Sequence, residues 1–246
     1  MRTILAKVFF ACGVWLLGGN AAQAATTQFK VASGDWSNAA NWSGGLPTPP
    51  NEAEVVSAAA SPATAAINPG DALTSGALYI GRYAGQVGAV NQSGGSLNLL
   101  TNYFRVGSAG AGTYNLSGGT VSNATLYVAT GGGTGTVHIS SGIFCGNGRT
   151  AESATVGRSA NSFGHVVQTG GLFSLNDSTN TADFVIGRDY GVGLYELSGG
   201  TVTNAKNVYL GMAATSGSHP LGTLVLSGSG GLYNSSLDNF AGIRID

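Results

Sequence analysis

Hydrophobic and polar residues alternate through this chain in short runs, and glycine-rich stretches separate those runs. In one representative segment, Phe104 and Val106 share one side of a run, and Tyr114 and Leu116 share one side of the next. Because the side chains of a β-strand point alternately to its two sides, this period predicts short strands with one apolar side each. No window combines apolar residues at helical spacing with capping residues, so almost no helix is predicted.

The runs recur as near copies of one another. TYNLSGGTV at residues 113–121 returns as LYELSGGTV at residues 194–202. Each unit carries an aliphatic residue followed by a small one, at spacings of 22 (Val106 to Val128) to 30 residues (Val156 to Ile186). A corner motif of the type Ser-Gly-Gly follows in each unit, beginning at Ser93, Ser117, Ser140, Thr169, Ser198 and Ser227. The aliphatic–small pairs are Ile80-Gly81, Val106-Gly107, Val128-Ala129, Val156-Gly157, Ile186-Gly187 and Leu210-Gly211.

Such repetition predicts an all-β fold, a single-stranded parallel β-helix or β-solenoid of about six glycine-cornered coils. One short coil cannot bury its apolar side alone, whereas stacked coils pair equivalent strands and share one continuous core. An antiparallel sandwich or barrel also uses short strands and glycine turns, but it does not require neighbouring units to carry the same motif. Propeller blades are longer than these units.

The composition agrees with a folded chain that has many tight turns. Glycine accounts for 41 of the 246 residues, and hydrophobic residues make up 43%. Charged residues make up only 9%, with a formal net charge of −1. Without a basic stripe, nucleic acid and anionic membrane surfaces are disfavoured as partners.

The chain divides into three segments. Residues 1–24 have basic residues, a short apolar run and an Ala-Gln-Ala cleavage site, as in a secretory signal peptide. No later segment is apolar enough to span a membrane as a helix. Residues 25–70 contain Trp36 and Trp42 and are predicted to form an N-terminal cap that covers the edge of the first coil. Residues 71–246 are assigned to the solenoid repeats.

The repeat pattern resembles the autotransporter-associated β-strand repeats of bacterial surface proteins. The resemblance rests on [LFV]-x-[IV]-G, a glycine-rich turn and [LQ]-[ST]-G-G-[TS]-[VL], and on the opening GDWSNAANWSGGLP, which begins at residue 34. It covers roughly residues 34–233 and implies a secreted solenoid at the cell surface. Related secreted proteins often carry a PEP-type C-terminal sorting signal, which this sequence does not contain.

Cofactor and metal sites are not expected. The histidines at 138, 165 and 219 fall at non-matching positions of different units, and the nearest match to a calcium-binding repeat, GGGTGTVHI, has Thr136 where an acid is needed. Once the leader is removed, Cys145 is the one cysteine left, so no internal disulfide can form. We expect Cys145 to be a small buried apolar residue.

Catalysis is also not expected, although parallel β-helices include polysaccharide lyases and hydrolases. Those reactions need two or more acidic groups, or an acid and a base, that converge. The best local group is Asp177, Asp183 and Asp189, close to Arg188. No acid recurs at the same position of successive coils, so these acids are interpreted as solvated turn residues.

Two sets of equivalent residues are candidates for surface contacts. Arg82, Arg158 and Arg188 each follow the aliphatic–Gly pair, and stacking along the rod predicts either turn-stabilising bonds with surface ion pairs or a ligand contact. Tyr79, Tyr127 and Tyr209 each precede the aliphatic residue and should point outward. Exposed tyrosines can stack on sugar rings, but they also suit any half-exposed strand.

The sequence therefore predicts a non-catalytic, secreted or cell-surface β-solenoid with a structural or adhesive role. Its partners would be surface polysaccharide or neighbouring surface proteins, contacted through repeated shallow sites. A polysaccharide-binding module that uses the tyrosines is the main alternative, and a β-helix lyase or hydrolase is a further one.

Overall fold

The computed structural model describes residues 24–57, 62–146, 152–175, 183–203, 206–213, 216–233 and 242–245. The leader predicted at residues 1–24 thus lies outside the described residues, apart from Ala24. In chain order the strands are β1 (Thr26–Gln28), β2 (Ser33–Asp35), β3 (Glu52–Val55), β4 (Ala63–Ile67), β5 (Ala72–Ser75), β6 (Leu78–Ile80), β7 (Val87–Gln92), β8 (Ser96–Val106), β9 (Ala111–Leu116), β10 (Thr120–Val128), β11 (Thr134–Ile139), β12 (Ile143–Gly146), β13 (Glu152–Arg158), β14 (Phe163–Ser174), β15 (Asp183–Arg188), β16 (Val192–Thr203), β17 (Asn207–Met212), β18 (Leu221–Leu226), β19 (Gly231–Tyr233) and β20 (Gly242–Ile245).

These strands wind into a β-solenoid, as predicted. Every pairing between two of them is parallel and joins equivalent residues of successive turns, which excludes the antiparallel sandwich and barrel. The one helical segment among the described residues is a 3₁₀ turn, Ala39–Asn41. None of the described helical structure is long and apolar enough to cross a membrane.

Each turn has three sides, here named faces A, B and C. Face A contains β1, β3, β6, the ends of β8 and β10, β13, β15, β17 and β20. Face B contains β2, β4, β7, β9, β11, the first halves of β14 and β16, and β18. Face C contains β5, the starts of β8 and β10, β12, the second halves of β14 and β16, and β19.

The solenoid has about seven turns, one more than predicted. The additional coil is β3–β4–β5, which lies mostly in the segment assigned to the cap. Its strands pair in register with β6, β7 and β8, so the solenoid begins before residue 71. This coil has Val56 where later coils have glycine or, at Ala129, alanine, and Asn68-Pro69-Gly70 where they have the Ser-Gly-Gly type of corner, so the repeated motifs do not mark it.

The aliphatic residues of the repeated pairs line up inside face A. Val55, Ile80, Val106, Val128 and Val156 follow one another in register and are buried. The residue after each one turns the chain from face A towards face B. In every predicted pair this residue is small and has a positive φ, including 61° at Ala129. Stacked corners of this kind keep successive coils in register.

A second set of small residues sits where face B begins. Gly193 shows why no side chain is tolerated there: a Cβ atom at this position would lie 2.1 Å from the carbonyl oxygen of Val156. The residues at this place in register are Gly88, Gly112, Gly135, Gly164, Gly193 and Gly222. Much of the glycine content thus reflects close backbone approach as well as turn conformation.

The core is aromatic in its middle coils. Phe144 lies 5.9 Å from Phe104 and 5.0 Å from Phe173 between ring centroids, and Phe184 packs edge-on against Tyr195 at 5.1 Å. These rings belong to one continuous cluster of buried residues. Because apolar burial is the main favourable term in folding, this shared interior holds the coils together without a disulfide.

The two tryptophans lie at the N-terminal end of that core. Both are 1% exposed, and their ring centroids are 4.8 Å apart with an edge-on arrangement. Trp42 Nε1 donates a 2.8 Å hydrogen bond to the carbonyl oxygen of Trp36, and the Trp36 amide donates to the carbonyl of Ala66 in β4. The segment around them therefore covers the first coil, as an end unit must.

Candidate functional site

The outward positions of face A form one ladder that joins residues of very different chemistry. In register they are Gln28, Glu54, Tyr79, Arg105, Tyr127, Thr155, Val185 and Tyr209. The three predicted tyrosines therefore lie in one ladder. Arg105 separates Tyr79 from Tyr127, and Thr155 and Val185 separate Tyr127 from Tyr209.

The predicted exposure of the tyrosine rings is wrong at two of the three positions. Tyr79 is 5% exposed and Tyr127 is 7% exposed, while Tyr209 is partly exposed. Arginine guanidinium groups lie against the first two rings: that of Arg82 is 4.0 Å from the centroid of Tyr79, and that of Arg158 is 5.3 Å from the centroid of Tyr127. These rings thus hold cations and offer little surface for a sugar.

Arg82 is neutralised by the protein's own acids. One of its terminal nitrogens donates to Glu52 at 2.9 Å and also contacts a carboxylate oxygen of Glu54, whose residue is 1% exposed. Burial acts to lower the pKa of Arg82, but its bonds to Glu54 and Glu52 outweigh that effect and leave the pKa raised. Burial, followed by the charge of Glu52, raises the pKa of Tyr79. The charge of Arg82 is thus satisfied within the protein, and the group it forms with Tyr79 offers no free cation to a ligand.

Arg105 lies among aromatic rings and is not paired with an acid in the described part of the chain. Its guanidinium carbon is 4.8 Å from the ring centroid of Tyr103 and 5.6 Å from those of Tyr79 and Tyr127. Its Nε atom is buried without a hydrogen-bond partner. Tyr103 precedes Arg105 by two residues on the same strand, so both point outward, and 37% of Tyr103 is exposed.

Arg158 lies two coils further along, at the corner after β13's last apolar residue. Together with Arg105 it lines an open groove of about 380 Å³, whose other lining residues are Ser108, Tyr127, Thr130, Gly131 and Ser159. The hydroxyl oxygens of Ser108 and Thr130 are 3.1 Å apart. Ser159 adopts a φ of 79°, a left-handed conformation that is uncommon for serine. The lining of the groove thus contains two cations and, besides the phenol of Tyr127, three aliphatic hydroxyl groups.

The three predicted arginines are at equivalent corners but are not adjacent. Arg158 and Arg188 are partners in register, whereas Ser108 and Thr130 occupy the corners between Arg82 and Arg158. Arg188 Nε lies 3.5 Å from a carboxylate oxygen of Asp189. Of the three predicted arginines, Arg82 is therefore bound by two acids, Arg188 lies beside one acid, and Arg158 has no acid partner among the described side chains.

The acids of the predicted group do not converge among the described residues; elsewhere, Glu196 and His165 on neighbouring coils of face B lie 2.9 Å apart. Asp183 accepts a 2.8 Å hydrogen bond from Asn207, and Asp189 lies beside Arg188. Asp177, the third acid of the predicted group, lies outside the described residues. Within the described part of the chain no three histidine, cysteine or acidic residues are close enough to hold a metal ion.

Cys145 is less enclosed than predicted. It occupies an outward position on face C, between Ser122 and Ser174, and it is only partly buried. Burial still raises the pKa of its thiol, which lowers the fraction of reactive thiolate.

Sequence reasoning overlooked Arg105, Glu54 and Tyr103. Arg105 precedes Val106 just as Tyr79 precedes Ile80, so the same alignment that found the tyrosines marks its position. Identity between units does not reveal Arg105, because an arginine there alternates with tyrosines.

Comparisons with protein-family models, with curated proteins and with solved structures found no match to this chain.

Proposed function

We propose that this protein is a secreted or cell-surface β-solenoid with a non-catalytic, structural or adhesive role. The observation that carries the proposal is the parallel pairing of its strands through about seven turns. At about 4.8 Å per turn, such a stack forms a short rod of roughly 34 Å. A rod of this kind places equivalent surface positions at regular intervals, which suits multivalent contact.

Export is supported by the N-terminal sequence. Residues 1–24 have the charge, apolar run and cleavage site of a secretory leader. The similarity of the repeats to autotransporter-associated β-strand repeats supports the same location, outside a bacterial cell.

The non-catalytic role is supported by what surrounds the acids. Glu52 and Glu54 are bound to Arg82, and Asp183 is bound to Asn207. General acid–base chemistry on a glycan needs carboxyl groups that are free to approach the scissile bond. We therefore rank a polysaccharide lyase or hydrolase last.

A polysaccharide-binding role is the second candidate, and a different set of aromatic residues favours it. Tyr83 and Tyr103 are 53% and 37% exposed, and their ring centroids are 5.5 Å and 4.8 Å from the guanidinium groups of Arg82 and Arg105. An exposed aromatic ring beside a cation can stack on the apolar face of a sugar while the cation binds its polar groups.

Export is tested by expressing the full chain in a bacterial host and measuring the mass of the protein found outside the cytoplasm. We expect loss of residues 1–24, and we expect Ala24→Phe to block that cleavage because a small residue is required there. Uncleaved protein confined to the cytoplasm would contradict the proposal.

Adhesion and catalysis are tested together. The exported protein is incubated with insoluble polysaccharides, and both the bound protein and newly formed reducing or unsaturated sugar ends are measured. Retention without new ends is expected. Release of sugar ends that increases with time would show an enzyme instead.

A further inference from the structure

We propose that the groove between Arg105 and Arg158 is a binding site for the carboxylate or sulfate group of an acidic polysaccharide. This inference names a ligand class for the adhesive role and rests on that proposed function. The groove spans three consecutive coils, because Arg105 and Ser108 belong to one, Tyr127 and Thr130 to the next, and Arg158 and Ser159 to the third.

Arg82 and Arg158 are equivalent residues with different partners. Both occupy the same corner of their coils, and both lie against a tyrosine of the outward ladder. One coil before Arg82 the ladder position holds Glu54, which binds it. One coil before Arg158 the same position holds Tyr127. The second arginine thus lacks the carboxylate that satisfies the first.

Arg105 has no acidic partner among the described residues to satisfy its charge. The residue is partly buried, so its guanidinium has lost part of its hydration, and the aromatic rings around it compensate for only part of that loss. No acidic side chain in the described part of the chain pairs with it, and its buried Nε has no hydrogen-bond partner. An external anion in the groove would supply the missing charge.

The lining has the chemistry of an oxyanion site. Arginine forms paired, charge-assisted hydrogen bonds to carboxylate and to similar oxyanions. Ser108, Thr130 and Ser159 add hydroxyl groups to the same lining. A volume of about 380 Å³ lies at the lower end of the range for small-ligand sites, which suits one sugar residue with its acidic group.

The sugar portion of the ligand is inferred from Tyr103. Its ring is partly exposed, lies 4.8 Å from the guanidinium of Arg105 and lies 6.3 Å from the ring of Tyr127. A sugar whose carboxylate or sulfate binds the arginines would bring its apolar face to this ring. A free inorganic anion would make no use of it.

The test measures retention of the purified full chain on immobilised polymers at low and at physiological salt. The polymers are polygalacturonate, its methyl ester, dextran sulfate, neutral dextran and poly-L-glutamate. We expect retention on polygalacturonate or dextran sulfate and at least tenfold weaker retention on the uncharged counterpart of each. We also expect at least tenfold loss of retention with Arg158→Gln and with Arg105→Gln, and a smaller loss with Tyr103→Ala.

Lys30→Gln is the matched control, since it removes the same charge from an exposed position at the N-terminal end. It should change retention by less than twofold. Thermal unfolding of each variant separates loss of the site from loss of the fold, and Arg158→Gln alone decides the question if Arg105→Gln does not fold.

Several results would overturn the site. Equal retention on the methyl ester would show that the arginines do not bind the ligand, and equal loss with Lys30→Gln would show an effect of net charge only. Equal retention on poly-L-glutamate would show that charge is recognised without the sugar. If the protein is retained on neutral dextran and Arg158→Gln does not change that retention, the site is overturned but the adhesive role is not. If the protein is retained on no polysaccharide, both are overturned.

Discussion

The phenol oxygen of Tyr195 donates a 2.5 Å hydrogen bond to Oε1 of Gln168, one coil earlier, inside the apolar core. Nε2 of the same glutamine donates to the carbonyl oxygens of Gly171 and Thr201, so the buried amide ties a corner to the next coil. Gln92 and Tyr114 repeat this arrangement three coils earlier. In the same ladder as Gln168, neighbouring coils carry Ile139 and Leu197.

A double-mutant cycle on this pair tests whether the polar contact is coupled. Gln168→Leu leaves the buried Tyr195 hydroxyl without an acceptor, and Tyr195→Phe leaves Oε1 of Gln168 without its donor. Each change should lower the free energy of unfolding by about 1–3 kcal/mol, the cost of an unsatisfied buried polar group. The double variant should lose about 1–2 kcal/mol less than the sum, measured by urea unfolding. Simple additivity would show that the two side chains act independently.

Stability should decline at high pH because two tyrosines are fully buried. Burial raises the pKa of Tyr114 and of Tyr195 far above the ordinary value near 10. The unfolded chain then releases these phenol protons from about pH 10 upward, while the folded chain keeps them, so unfolding becomes more favourable as pH rises. We expect a loss of about 1.4 kcal/mol per pH unit for each tyrosine above pH 10, and none below it.

Urea unfolding between pH 8 and pH 11.5 measures this decline. Tyr114→Phe and Tyr195→Phe should each flatten the slope above pH 10, whereas Tyr190→Phe, at a position that is 46% exposed, should not. A slope that all three variants leave unchanged would assign the alkaline loss to other groups.

Replacing Ala129 with glycine should stabilise the fold. Ala129 is buried with a φ of 61°, at a place where the other predicted coils have glycine. A left-handed alanine costs about 1–2 kcal/mol, part of which glycine's larger entropy loss offsets. Ala129→Gly should therefore raise the free energy of unfolding by up to about 1 kcal/mol, and a decrease would contradict this account.

The reverse change measures how tightly the coils pack at these corners. At Gly157 a Cβ atom would lie 2.0 Å from the carbonyl oxygen of Val192, and φ is 73°. At Gly85, φ is 79° but nothing lies within 4 Å of such a Cβ. Gly157→Ala should therefore cost more than Gly85→Ala, by about 1–3 kcal/mol, the usual effect of overpacking. Equal losses would mean that strain at positive φ, and not crowding, selects these glycines.

Glu54 should contribute to the stability of the fold through its contact with Arg82. It is 1% exposed and binds Arg82, so Glu54→Gln removes a charge that a half-buried cation needs. We expect a loss of about 1–3 kcal/mol in the free energy of unfolding. Glu196→Gln is the control. The Glu196 side chain pairs with His165 and is 44% exposed, and exposed ion pairs contribute less than about 1 kcal/mol to the free energy of unfolding.

The repeated motifs allowed the fold to be predicted because each marks a physical requirement of stacking. The aliphatic residue before Gly81 must be buried, and the corner after it must turn the chain from face A to face B, which a residue with positive φ allows, so both recur in the predicted coils. The coil at residues 52–75 escaped prediction because Val56, which has no positive φ, follows its buried Val55, and because Asn68-Pro69-Gly70 replaces the Ser-Gly-Gly type of corner. The buried glutamine had a visible signal, since QSGG and QTGG each precede a unit with Tyr-x-Leu-Ser-Gly-Gly, but its meaning depends on contacts between coils.

The amino-acid order by itself determined the winding: period-two strands and recurring corners permit one efficient way of burying the apolar side. Only the tertiary structure decided which outward residues meet. Tyr79 and Tyr127 were expected at the surface, yet arginines cover their rings. Arg82 of the same coil lies on Tyr79, and Arg158 of the following coil lies on Tyr127. Stacking also places Arg105 between the two tyrosines in register. The same stacking gave Arg82 two acids and left Arg105 and Arg158 facing a groove, because the neighbour of each side chain belongs to another coil.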